Sequence, residues 1–531
     1  MLKKKYILAV DQSTSSTKAI IFDDICNMVI RCDENHKQYY PESGWIEHDP
    51  EEIYKNTLHA IQKAINQSGV SQDDIAAVAV TNQRETVLVW DKKTGKPIYN
   101  AIVWQCLRGT ETCNTLREEG WSERIESKTG LLIDPYFSAT KLKWIIDNVE
   151  GVREKAESGD LVFGTIDTWI IYKLTGHKVH ATDYSNACRT MLYNIYDLEW
   201  DRELLELMGL PVKMAPEVKY GDEIFGYTAI NEIFERQIPV TGVMGDSHAA
   251  LFGQNCFEKG MAKATYGTGS SVMMNIGHKP KKSPKGLVTS IGWGCGGEIT
   301  YAFEGNIHCT GATIKWLVED LQLVPDSHVT EEIANSVPDN NGVYLVPAFS
   351  GLGAPYWDNQ AKACLCGMLR NTKRAHVVRA ALESIAYRIK DVLDLMITGS
   401  GLPIKELRVD GGPTRNNFLM QFQADILRCR LARTNIEEVS ALGVALMAGL
   451  SVGLWQDLDQ IQTLRRVDKE FSFMMNIQTV QKNCEGWEEA VSSVLTSNRI
   501  LQQDNELKIE VSNEFQKKAD IRPYRRYTKH L

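Results

Sequence analysis

Apolar runs along this chain come in two kinds, and the polar residues between them decide what each run becomes. "YILAV" (6–10) and "KAIIFD" (18–23) are short and almost unbroken, the pattern of buried strands, and a small polar loop, "DQSTSST", joins them. "HDPEEIYKNTLHAIQKAI" instead places Ile53, Leu58, Ile61 and Ile65 along one helical face. Asp49 suits its N-cap and Pro50 its first turn. "IAAVAV" (75–80) returns to a buried strand. The second half repeats the theme. "GMAKATYGTGSSVMMNIG" (260–277) is again strand, hydroxyl-rich loop, strand, followed by the strand "ITYAFEG" (299–305) and a helix from about Gly311. "VYLVPAFS" (343–350) reads as a strand, "HVVRAALESIAYRIKDVLDLM" as a long helix, "ELRVDGG" (406–412) as a strand ending in a turn, and "NNFLMQFQADIL" as a helix.

This alternation predicts two α/β domains, each a mixed sheet covered by helices and each opening with a hairpin. The expected division is 1–253 and 254–500, with a polar tail at 501–531 that carries no core pattern. A length of 531 residues agrees, being too great for one ordinary core. Apolar residues at 43%, charged residues at 24% and a net charge of −9 fit a soluble globular protein and argue against a nucleic-acid-binding surface. Asp11 interrupts the first apolar run too early for a signal peptide, and no uncharged stretch reaches the length of a membrane span, so a cytoplasmic protein is expected. Twelve cysteines without a CxxC pair point to reduced core residues rather than a zinc site.

Candidate chemistry gathers in the loops. Thr14, Ser15, Ser16 and Lys18 in the first hairpin, and Thr268 in the second, could bind phosphates through hydroxyls, amides and a cation. Either turn alone is ordinarily just a turn; the pairing is the stronger signal. No GxxxxGK[ST] or HExxH occurs, and "GWGCGG" (292–297) precedes a strand-like run, which a dinucleotide fingerprint does not. Asp11, at the end of a buried strand, suits either an Asx turn or a metal held through water. Asp246, in "GDSHAALFGQ", suits either the cap of a helix beginning near Ala249 or a general base. His248 is a rival base, although its apolar helix face favours a core histidine. Arg84 and Glu85, in "NQRET", follow a buried strand and either pair with one another or bind a polar ligand.

With these motifs the chain resembles the FGGY carbohydrate kinases, and within them the glycerol kinases, from about residue 5 to about residue 490. "YFSATKLKWIIDN" (136–148) and "ACLCGMLRNTKRAHVVRAALE" (363–383) resemble the two family signatures. "GWIEHDP", "TNQRET", "YNAIVWQC", "DPYF", "GTIDTW", "GLGAPYWD" and "LRVDGG" resemble glycerol kinase in particular. The resemblance implies an actin/Hsp70-type ATPase fold of two ribonuclease-H-like domains, with ATP and a polyol meeting in the cleft between them. It implies Asp246 as general base, Asp11 as the residue placing Mg²⁺ through water, and Thr14, Ser15, Ser16, Lys18 and Thr268 as phosphate contacts. Gly311, Lys315, Gly412 and Asn416 would lie along the nucleotide, and Arg84, Glu85, Trp104 and Tyr136 around the polyol. It further implies a homodimer or homotetramer.

Departures from that pattern fall at the substrate. Ser247 stands where glycerol kinases have glutamine, Ser271 where they have a phenylalanine, "DQST" where they have "DQGT", and Lys18 where they have arginine. Ser247 and Ser271 predict a wider, more polar pocket, open to a tetritol, pentitol or ketose as well as to glycerol. Residues 229–237, "AINEIFERQ", lack the glycines of the loop that binds fructose 1,6-bisphosphate in some relatives, so that inhibition is not expected. A nucleotide-driven switch protein on the same fold is the reading from another class; Asp246, Arg84, Glu85 and Tyr136 together speak against it.

Overall fold

The structure, a computed structural model, describes residues 5–496; the tail expected at 501–531 lies outside the described residues. Two large mixed sheets dominate. The first contains β1 (Tyr6–Gln12), β2 (Ser16–Phe22), β3 (Met28–Asn35), β4 (Ile75–Asn82), β5 (Gly226–Tyr227) and β6 (Pro239–Gly245), in the order β5-β6-β4-β1-β2-β3. The second contains β7 (Ala262–Tyr266), β8 (Ser270–Gly277), β9 (Val288–Cys295), β10 (Glu298–Ile307), β11 (Glu406–Asp410), β12 (Arg430–Arg433) and β13 (Lys469–Phe471). Its order is β9-β10-β8-β7-β11-β12-β13.

The sheets share one plan. In each, the opening hairpin is antiparallel (β1 with β2, β7 with β8) and its first strand then runs parallel to a later one (β4, β11). The central strands are buried along nearly their whole length, which is why they appear in sequence as unbroken apolar runs rather than alternating ones. α1 (Pro50–Ser68) starts at the expected cap: the Asp49 carboxylate accepts from Glu51 N at 2.9 Å.

Two later helices cross between the sheets. α2 (Asp246–Gly253) lies on β7–β9 of the second sheet, whereas α6 (Val439–Ser451) lies on β6, β4 and β1 of the first. Both are rich in small residues, and their backbones touch. A Cβ on Gly443 would sit 1.9 Å from the Ala249 carbonyl oxygen, and one on Gly253 would sit 2.4 Å from the Val439 carbonyl oxygen. Between α2 and α6 in the chain come α3 (Gly311–Lys315), α4 (Arg374–Ser400) and α5 (Asn417–Leu427).

Two local expectations change. The strand expected over 343–350 is limited to Tyr344–Val346, because Pro347 has no N–H to continue the ladder. The helix expected from near Ala249 starts at Asp246 itself, with Gly245 in the cap position. Asp246 is therefore the first helical residue and no cap; its carboxylate is held instead by Arg84 Nε at 3.0 Å and by Ser247 N at 2.6 Å.

The helix crossing makes a direct prediction. Gly443→Ala forces the two backbones apart and should lower stability by roughly 1–3 kcal/mol, the usual cost of overpacking. A fall in the urea midpoint relative to wild type checks it, and an unchanged midpoint contradicts the crossing.

Candidate active site

Asp246 opens into the cleft between the sheets, its side chain 39% exposed, while the groups behind it are buried. Arg84 follows β4 and reaches three partners at once. Nε holds Asp246, Nη2 donates to Ser247 Oγ at 3.1 Å, and Nη1 and Nη2 clasp Glu304 of β10 at 3.0 and 2.8 Å. Glu304 also accepts Arg189 Nη1 at 2.8 Å, and Arg189 Nε donates to Glu85 at 2.6 Å. Glu85 itself adopts a positive φ of 62°, a costly backbone for a non-glycine residue, which the surrounding ion pairs enforce. Burial opposes the charge on Glu304, but Arg189 and Arg84 outweigh it and hold its carboxyl far below the usual range. Burial pushes the Glu85 carboxyl up, against the pull of Arg84 and Arg189.

Arg84 and Glu85 pair chiefly with other buried charges rather than with one another, and Arg84 carries Asp246. Behind Asp246, Gly245 N donates to Ser185 Oγ at 2.9 Å, which ties the end of β6 to the segment Tyr184–Ala187. His248 is fully buried with Nδ1 3.5 Å from Arg84 Nη1. Burial, and then Arg84, depress its pKa well below normal, and full burial keeps it out of the cleft into which Asp246 opens.

On the phosphate side the two hairpin turns face differently furnished surroundings. Asp11 and Lys18 are paired across β1 and β2, 3.4 Å apart, and Lys18 Nζ also donates to Glu438, just ahead of α6, at 2.7 Å. Burial pushes the Asp11 carboxyl up to about 6; Lys18 opposes this, while Glu438 and Asp246 reinforce it. A site of this charge accepts a cation readily. No cluster of three metal-binding side chains occurs among the described residues. Thr14 accepts Trp104 Nε1 on its hydroxyl at 3.0 Å, Ser15 O accepts His36 N at 3.2 Å, and Ser16 begins β2.

The second turn meets α3: Thr310 N and Ala312 N donate to Thr268 O, and Gly311 N donates to Gly267 O. A Cβ on Gly311 would lie 2.8 Å from Gly267 O and 3.7 Å from Pro413 Cγ, so the Thr268 turn, Gly311 and the Gly412 turn form one surface. Lys315 is exposed and faces Glu319 at 3.4 Å. Asn416 is engaged as the N-cap of α5, accepting Leu419 N at 2.9 Å, and donates to Thr330 at 3.1 Å.

Trp104 and Tyr136 form an aromatic wall, edge to face with ring centroids 5.4 Å apart. On the second sheet, Ser271 Oγ accepts the buried Lys263 Nζ at 3.3 Å, and Lys263 also donates to Thr265 at 3.1 Å. Glu304, Arg189, Lys263 and Glu438 escaped the sequence reading. Glu304, Arg189 and Lys263 are each a lone charge in an apolar run, such as the glutamate of "ITYAFEG", and that isolation was the available signal; Glu438, next to Glu437, gave none.

Comparison with known proteins agrees with this geometry. Residues 6–253 match the FGGY family of carbohydrate kinases, N-terminal domain, and residues 262–452 match the C-terminal domain. Glycerol kinase 2 of Thermotoga maritima is 52% identical over 491 residues, 92% of this chain and 99% of that protein. Glycerol kinase of Bacillus licheniformis is 50% identical over 490 residues, 92% and 99% respectively. The crystal structure of Plasmodium falciparum glycerol kinase with ADP superposes with a TM-score of 0.89 at 37% identity, covering 93% of this chain and 98% of that one. A xylulose kinase from Lactobacillus acidophilus, at 20% identity and a TM-score of 0.84 over 92% and 98% of the two chains, shares the fold.

Removing the central carboxylate tests the network. Glu304→Gln leaves Arg84 and Arg189 without their shared counter-charge and should cost about 3–5 kcal/mol. Because the Glu304 carboxyl is depressed in the folded state, the stability it supplies is present above the ordinary glutamate range and is lost on acidification. Urea denaturation at neutral pH and below pH 4 should show the variant's deficit shrinking as pH falls.

Proposed function

The chain belongs to the FGGY family of carbohydrate kinases, and from that membership we propose that it phosphorylates a terminal hydroxyl of a small polyol with ATP, glycerol to sn-glycerol 3-phosphate foremost. The observation that carries this reading is Asp246: a carboxylate open to the cleft, gripped from behind by a buried arginine, at the first turn of a helix locked between both sheets.

In this reading the polyol lies between the Trp104–Tyr136 wall and the Arg84–Glu85 pair. Asp246 takes the proton of the attacking hydroxyl as that oxygen bonds to the γ-phosphorus and the bond to the β–γ bridging oxygen breaks, releasing ADP. Arg84 keeps the carboxylate aimed, so the enzyme spends no reorganisation at the moment of transfer. Thr14, Ser15, Ser16 and Thr268 receive the phosphates from the two hairpins, and Gly311 and Gly412 leave room for the nucleotide along the second. Lys18 reaches a phosphate only by sharing itself with Glu438 and Asp11. Lys315 and Asn416 lie farther along the nucleotide surface, Asn416 chiefly as a helix cap. Asp11 would hold Mg²⁺ through water, and the ion, when bound, neutralises phosphate charge during transfer. A cytoplasmic dimer or tetramer completes the reading and rests on the family resemblance alone. Among the described residues no helix is long and apolar enough to cross a membrane.

Purified protein with ATP and Mg²⁺, followed by ADP release, should turn over glycerol, and Asp246→Asn should lower kcat by roughly 10²–10⁴-fold. ATP hydrolysis that needs no polyol and survives Asp246→Asn unchanged would point to a nucleotide switch instead.

A further inference from the structure

The second sheet presents a continuous polar strip to the cleft, and the reacting hydroxyl accounts for only one end of it. Along β10, alternate residues share a face. Glu304 on that face touches Arg84 of the first sheet, so Asn306, two residues on, faces the same way. The β8–β10 register puts Ser271 directly opposite Asn306, and the β7–β8 register puts Thr265 opposite Ser271. The row Thr265–Ser271–Asn306 is half-exposed at every position, and His308 continues it outward past the end of β10, beside Gly353.

These side chains differ from the rest of the site in one respect. Glu304, Arg84, Glu85 and Arg189 are joined to one another by ion pairs, whereas neither Asn306 nor His308 makes a side-chain hydrogen bond among the described residues. Ser271 accepts its hydrogen bond from the Lys263 ammonium, and Ser247 accepts one from the Arg84 guanidinium. Neither cation can accept in return, so both hydroxyl protons are left to donate elsewhere. Burial and then Arg388 lower the His308 pKa, and Asp134, whose carboxylate receives Tyr136 N at 2.9 Å, opposes them. The strip ends at the exposed His308.

We propose that Ser271, Asn306 and His308 form a second subsite, beyond the reacting end, that binds the additional hydroxyl-bearing carbons of an acyclic polyol of four or five carbons. Ser271 donates to a substrate oxygen, and Asn306, with a donor and an acceptor, receives one hydroxyl in either sense. His308 closes the outer end. Glycerol, with three carbons, fills the region of Asp246, Arg84 and Glu85 and leaves these groups to water. The inference rests on the polyol-kinase reading and adds the length of the substrate and the residues that measure it.

The test compares kcat/KM for glycerol, erythritol, D-threitol, ribitol and xylitol, using the full chain with ATP and Mg²⁺. Wild type should use at least one longer polyol as well as it uses glycerol. Asn306→Ala and His308→Ala should each lower the ratio of longer-polyol to glycerol kcat/KM by about tenfold, the scale of an unmet polar contact in a site built to hydrogen-bond. Thermal melting of each variant confirms that it folds, as expected for partly exposed side chains without protein partners. Turnover of glycerol with no longer polyol used, or a ratio unmoved in both variants, overturns the subsite while leaving the kinase reading intact. No turnover of any polyol, glycerol included, overturns both.

Discussion

The contact of the Ala249 carbonyl with the bare α-carbon of Gly443 is the constraint on which the site depends. Two helices cross there at a distance that no side chain permits, α2 lying mainly on the second sheet and α6 on the first. Asp246 is the first residue of one helix, and Glu438, the partner of Lys18 and Arg31, immediately precedes the other. The crossing thus fixes the base and an ion pair beside the first phosphate loop to one rigid piece of backbone. Gly242, whose φ is 74° and whose Cβ would meet Val444 O at 2.4 Å, extends the same close packing to the end of β6. Small residues in "HAALFG" and "VSALGVALMAGL" look like bland core in the sequence, and here their smallness sets catalytic distances.

Around that piece the site is organised by charge. Arg84, Arg189 and Lys263 are buried together with Glu85, Glu304 and Asp410, whereas the Asp246 side chain is 39% exposed. In so dry a setting an unmatched charge costs several kcal/mol, so the buried members hold one another and cannot wander. The open carboxylate inherits that rigidity through a single hydrogen bond from Arg84. Transfer of a phosphoryl group asks mainly for this kind of positioning, with little covalent chemistry from the protein. Lys263 contributes differently: burial pushes its pKa down, and its nearest partners are hydroxyls, so its effect passes to Thr265 and Ser271.

The two hairpins, the Asp49 cap, the buried strands and the α/β class were legible because each depends on local pattern: unbroken apolar runs, a capping residue before a proline, a loop of hydroxyls. Family resemblance supplied the roles of Asp246 and Asp11, which local sequence left open. What the sequence did not display were pairings across long chain separations. Arg84 meets Glu304, 220 residues away, and Lys18 meets Glu438, 420 residues away. No periodicity records such a contact. The misplaced start of α2 has the same origin: Asp246 is drawn to Arg84 from another element, so it enters the helix rather than capping it. Asn416 shows the converse, since a position matched to the nucleotide spends its side chain on a cap that local sequence alone would have suggested.

A division of labour follows from where these groups sit. The first domain supplies Arg84, Glu85, Trp104 and Tyr136, which on the proposed reading would define, with Asp246, which oxygen attacks and from what direction. The second sheet supplies a row of polar side chains in which Asn306 is placed by strand register opposite Ser271 and His308 follows the end of β10 beside Gly353, both outside the buried charge network. Exchanging a side chain on that row changes which oxygens of the alcohol find partners, without disturbing the arginine that aims the base. Conversely, any change to Arg84, Glu304 or the α2–α6 crossing alters every substrate alike. On the proposed reading, substrate length and chemical competence would be set by physically separate parts of one cleft, and side-chain exchange on β8 and β10 would shift the substrate while the Arg84–Asp246 arrangement stays in place.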